Sequence, residues 1–93
     1  MSHKHYTLLC TIFQDPLPAN IHWREVESLL NHLGATIEPS HGARFKVSLN
    51  KASDFLHHPH HNSECSRDLI KQLREFLTQA GVSPSSYDAE KNR

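Results

Sequence analysis

Between residues 44 and 49 the chain alternates strictly: Phe45, Val47 and Leu49 are apolar, and Arg44, Lys46 and Ser48 are polar. A period of two puts the apolar set on one face of a strand and the polar set on the other, so this stretch is half buried and needs a cover. Asn50, Lys51 and Ala52 form the natural turn after it, since Asn tolerates left-handed backbone angles. Residues 53–57 read as the return strand, and residues 35–38 as a shorter first strand with Ile37 pointing inward. On either side the period changes. Trp23, Val26, Leu29, Leu30 and Leu33 make one helical face, and Leu69, Leu73, Phe76, Leu77 and Ala80 make another. Asn20 is the predicted N-cap of the first of these helices and Gly34 its stop. The second spans residues 66–80, has Asp68 in its first turn and ends at Gly81, with Val82 folding back. Three consecutive strands predict an antiparallel meander, and the two amphipathic helices are its available cover. The expected class is α+β: a two-layer sandwich with a three-stranded antiparallel sheet and helices on one face.

A further helix is predicted over residues 3–13, with Leu8, Leu9, Ile12 and Phe13 on one side and two prolines, Pro16 and Pro18, preventing its continuation. It is expected to pack on the edge of the sandwich. Residues 83–93 have no periodicity and are expected to form a flexible tail. The expected organisation is a single domain over residues 1–82, with its core in residues 20–82. The 93 residues show no secretory start and no apolar run near the ~20 residues of a membrane span, which points to a cytoplasmic protein.

Formal net charge is zero, which disfavours a strongly basic nucleic-acid binder. Its distribution is uneven. Residues 40–74 hold six Lys/Arg against three Asp/Glu, whereas residues 1–39 hold two against four. The basic excess therefore falls on the hairpin and the helix after it. Histidines collect there too: His41, His57, His58, His60 and His61. Four of these, with Cys65, admit a metal reading. Their spacing is not that of a structural zinc site, and adjacent strand residues point to opposite faces, so no metal site and no cofactor is predicted. Cys10 reads as a small core residue. Cys65 precedes a helix whose dipole lowers a nearby thiol pKa, yet no base is arranged around it. Trp23 belongs to the apolar stripe and is read as core.

Several features together resemble one family. They are the helix ending at Leu33 and Gly34, Ser40 and His41, the strand from Arg44 to Leu49, Pro59 and His60, and the last helix running through Leu77, Thr78, Gln79 and Ala80 to Gly81 and Val82. This order resembles the HicA-type toxins of bacterial toxin–antitoxin pairs. The preceding residues 11–30 are similar to a longer subgroup with an extra N-terminal helix. The resemblance implies a fold like the double-stranded RNA-binding domain, α-β-β-β-α. It implies a metal-independent endoribonuclease that cleaves mRNA, silenced by a HicB-type antitoxin protein. It also implies that His41 is the catalytic residue, at the start of the second strand, and that Pro59 and His60 border the active surface. Two departures accompany it. Pro39 stands where the family pattern has glycine, and Gly42, Ala43 and Arg44 separate His41 from Phe45 by one residue more than usual. A gap-free match places Ala43 at the catalytic position instead.

A histidine suits this reaction because imidazole titrates near neutral pH and can take the proton of a ribose 2′-hydroxyl as that oxygen attacks the adjacent phosphate. Arg44 and Lys46, on the same hairpin, are the predicted phosphate contacts, with His60 beside them. The competing expectation is a non-catalytic module on the same fold that holds RNA or a protein partner.

Overall fold

The computed structural model describes residues 3–16, 20–42, 44–57 and 64–85. Its elements follow the predicted order: α1 (His3–Ile12), α2 (Trp23–Leu33), β1 (Thr36–Pro39), β2 (Arg44–Leu49), β3 (Ala52–His57) and α3 (Arg67–Gln79). The strands form one antiparallel sheet in the order β1-β2-β3. The register pairs Ile37 with Val47, and Phe45 with Leu56. The period-two pattern thus becomes two faces. Val47, Leu49 and Leu56 are buried with α2 and α3, while Glu38, Arg44, Lys46, Phe55 and His57 are exposed on the other side. Asn50 takes φ 55° in the two-residue β2–β3 turn, and its Nδ2 donates to the Ala80 carbonyl at 2.6 Å, tying that turn to the end of α3.

Among the described residues the core is wholly apolar. α2 contributes Trp23, Val26, Leu29 and Leu30, and α3 contributes Leu69, Leu73, Phe76 and Leu77 as predicted, together with Ile70. α3 is closed at both ends by local hydrogen bonds. Ser66 Oγ accepts from Leu69 N–H at 3.1 Å. At the other end Gly81, at φ 80°, lets Val82 N–H return to the Leu77 carbonyl at 2.8 Å and Gly81 N–H to the Thr78 carbonyl at 3.0 Å. That is a Schellman motif, which only a residue at ease with positive φ closes without strain.

Two expectations are corrected. α2 starts after His22, not after Asn20. Ile21 and His22 are held extended, because Cys65 N–H donates to the Ile21 carbonyl at 2.7 Å and His22 bridges to Glu64. Glu25 Oε1 then accepts from His22 N–H at 3.2 Å, which settles the helix start. The second correction concerns α1. It packs on α2 and α3 rather than on the edge of the sandwich, and Leu8, Leu9 and Ile12 join the single core cluster.

Arg74, on α3, fastens the end of α1. Its Nε and Nη2 donate to the Ile12 carbonyl at 3.0 and 2.9 Å, and Nη2 also reaches the Gln14 carbonyl at 2.8 Å. The guanidinium lies 5.9 Å from the centroid of the Phe13 ring. Carbonyls at a helix C-terminus lack intrahelical partners and carry the negative end of the dipole, so a forked cation suits them. Arg74→Ala is expected to cost about 2 kcal/mol, within the range for hydrogen bonds to charged groups, and to speed proteolysis between α1 and α2. Arg74→Lys keeps the charge without the fork and should recover only part of the loss. Urea midpoints and limited proteolysis check both.

Candidate functional site

His41 lies in the turn that joins β1 to β2, and it is exposed. Ser40 N–H donates to the Arg44 carbonyl at 3.0 Å, and Arg44 N–H donates to the His41 carbonyl at 3.4 Å. The turn is therefore closed by backbone bonds on both sides. Gly42 follows His41 with φ 65°, as the first inner residue of a mirror-image turn requires. His41 thus precedes β2 by three positions. Pro39 closes β1 opposite Phe45. The Ser40–Arg44 bond turns the Pro39 nitrogen to the open edge of the sheet, where a missing N–H removes no ladder bond. Ala43 and His60 lie outside the described residues.

The register decides which of the other side chains meet. Arg44 pairs with His57, and Lys46 pairs with Phe55 on one side and Glu38 on the other. Cross-strand partners on one face have Cβ atoms about 4.5–5.5 Å apart. His57 and Arg44 therefore stand side by side at the end of the sheet that carries the His41 turn, and Lys46 is one step further along the same face.

Both helix starts come to this end. The Trp23 ring stacks on Phe45, with centroids 5.8 Å apart and planes 17° apart, so the first turn of α2 lies beneath the start of β2. α3 meets the sheet at Phe55, whose carbonyl accepts from Gln72 Nε2, and again at Asn50 beside Ala80. Its first turn therefore lies toward the His57 end. The first turns of both helices, their positive dipole ends, therefore lie at the end of the sheet that carries the His41 turn. Arg67, exposed in the first turn of α3, adds charge there, whereas Arg24 of α2 lines a cleft against α1. Neither was singled out from the sequence, because an arginine on the polar face of a helix reads as solvated. Glu25, Glu64 and Asp68 share this end and offset part of its charge.

Cys65 is buried, and burial first, with Glu25 second, pushes its thiol up to about 11. The dipole effect weighed from the sequence is overridden, and Cys65 is packing. The folded value lies above the ordinary 9.0, so the neutral thiol is the form the fold favours. The stability this supplies is complete below pH 9 and is lost as pH rises toward about 11. Native Cys65 should resist iodoacetamide at pH 8 while the half-buried Cys10 reacts, and both should react in urea. Peptide mass mapping reads this directly.

Among the described residues no three His, Cys, Asp or Glu side chains converge as metal ligands. His58, His60 and His61 lie outside those residues. A separate cleft of about 270 Å³ opens between α1 and α2, lined by Lys4, His5, Leu8, Arg24, Glu25 and Ser28. His5 Nε2 and Ser28 Oγ lie 2.8 Å apart there, and burial, then His32, Lys4 and the N-terminus, lowers the His5 pKa.

A family model described as HicA toxin of bacterial toxin–antitoxin matches residues 23–82. The match runs from the first residue of α2 to the fold-back at Val82, well over half of the chain. The chain belongs to the HicA toxin family. Membership implies a toxin of a toxin–antitoxin system, and so an antitoxin partner. α1 precedes the matched region, as the extra N-terminal helix of a longer HicA subgroup would. No curated protein and no solved structure matches the chain. Among the described residues no helix is long and apolar enough to cross a membrane.

Proposed function

We propose that this HicA-family chain is a metal-independent endoribonuclease that cleaves mRNA and is held inactive by a HicB-type antitoxin. The observation that supports the reading is the pairing of Arg44 with His57 at the end of the sheet that carries the His41 turn. His41 takes the proton of a ribose 2′-hydroxyl. The freed oxygen attacks the adjacent phosphorus, forming a 2′,3′-cyclic phosphate and breaking the bond to the 5′-oxygen. Arg44 and Lys46 offset the charge that develops on the phosphate. A second proton donor must serve the leaving 5′-oxygen, and His57 is the side chain that the register sets beside Arg44. Asp54 pairs with Val47 on the opposite face of the sheet, and its Oδ1 accepts from Phe55 N–H at 2.8 Å.

The position of His41 ahead of β2 favours one other reading: a module of the same fold that binds RNA without cutting it. A single assay separates the two. Pure protein incubated with RNA and excess chelator should yield fragments ending in 2′,3′-cyclic phosphate, and the antitoxin should stop the reaction. RNA that stays whole at every protein concentration rejects the nuclease.

A further inference from the structure

The open face of the sheet carries one side chain, Phe55, that this function does not use. Phe55 is 45% exposed, and among the described residues it is the one large apolar side chain so placed. Its register neighbour on β2 is Lys46, and Arg44 and His57 stand one step toward the His41 turn. Glu38, beyond Lys46 on β1, is the acidic residue on this face. Thr36, Ser48 and Ser53 fill the far row.

A single phenylalanine exposed to water is ordinary by itself; what sets Phe55 apart is its row, with Lys46 opposite and Arg44 and His57 one step on. The backbone at Phe55 narrows what it serves. β3 is an edge strand, and an edge usually invites another strand. At Phe55 that edge is closed: the N–H donates to Asp54 Oδ1, and the carbonyl accepts from Gln72 Nε2. A partner strand would have to displace Asp54 from the N–H and crowd Gln72 at the carbonyl. What remains available is the ring itself, with two cations of fixed register beside it.

We propose that the open sheet face holds an unpaired segment of RNA, with one base stacked on Phe55 and the neighbouring phosphates on Lys46 and Arg44. The inference rests on the ribonuclease reading and deepens it. Flat aromatic rings accept any base, cations track the backbone, and both are needed for single strands. A base on Phe55 leaves the adjoining phosphodiester running along β2 and β3 toward Arg44, His57 and the His41 turn. The face would thus select single-stranded segments and deliver them to the histidine.

The test is fluorescence anisotropy with a labelled single-stranded RNA oligomer at low salt, in a His41→Ala parent so that the ligand stays intact. Phe55→Ala should weaken binding roughly 5- to 100-fold, and Phe55→Trp should retain it. The new indole should lose emission as RNA is added, while the buried Trp23 of the parent does not respond. The same sequence as a duplex should bind much more weakly. Unchanged affinity in Phe55→Ala, or equal binding of the duplex, overturns the proposal, as does a Phe55→Ala variant that keeps RNA but loses the antitoxin. Wild-type cleavage alongside unchanged Phe55→Ala binding removes this inference alone. A parent that binds no RNA, with a wild type that cleaves none, removes the nuclease reading as well.

Discussion

His41→Ala is expected to lower the RNA cleavage rate by ~10²–10⁴-fold, the usual cost of removing a positioned general base. Expression of the variant should no longer slow growth. The structure makes this substitution clean. His41 is exposed, and the bond that closes its turn uses its carbonyl, which alanine retains. Gly42 and the Ser40–Arg44 bond are untouched, so the hairpin and the surface offered to an antitoxin should persist. Circular dichroism and antitoxin binding are the controls. Cleavage at the wild-type rate would move the base elsewhere, with His57 beside Arg44 next to be tested.

Leu73→Ala is expected to lower the free energy of unfolding by about 2–5 kcal/mol, through lost transfer energy and the cavity left behind. Leu73 lies on the middle turn of α3, is fully buried, and shares one cluster with Val47 and Leu56 of the sheet and with Leu9 and Ile12 of α1. Buried side chains in a packed core relax only in part around such a gap. Small domains are stable by only about 5–15 kcal/mol, so the loss is a large share of the total. Glu75→Ala, at an exposed position two residues on, should shift the urea midpoint little. If the two variants lose the same stability, the centre of the core is not at Leu73.

Most of the fold was legible in the chain, because the signals were periodic. The stripes of α2 and α3 and the alternation of β2 depend on residues a few positions apart, so each states its own buried face. Gly81 and Val82 likewise announced the end of α3. The start of α2 was misread for the opposite reason. Asn20 is locally a good cap, but a backbone bond from Cys65, far along the chain, holds residue 21 extended. The docking of α1 also escaped a local reading. An apolar side predicts burial without naming the partner, and Arg74 supplied the partner from α3.

The candidate site divides in the same way. The sequence by itself determined that one hairpin would hold His41, Arg44 and Lys46 and that alternate residues of β2 would face solvent, since a period of two follows from strand geometry. It also carried enough of the family pattern for residues 23–82 to be assigned to HicA toxins. Only the tertiary structure decided that His57 stands beside Arg44, that Phe55 lies opposite Lys46, that the first turns of α2 and α3 lie at the end of the sheet with the His41 turn, and that Cys65 is buried. Each of these depends on strand register or on burial among distant segments. Those relations arise when the chain closes on one core, and no local periodicity encodes them.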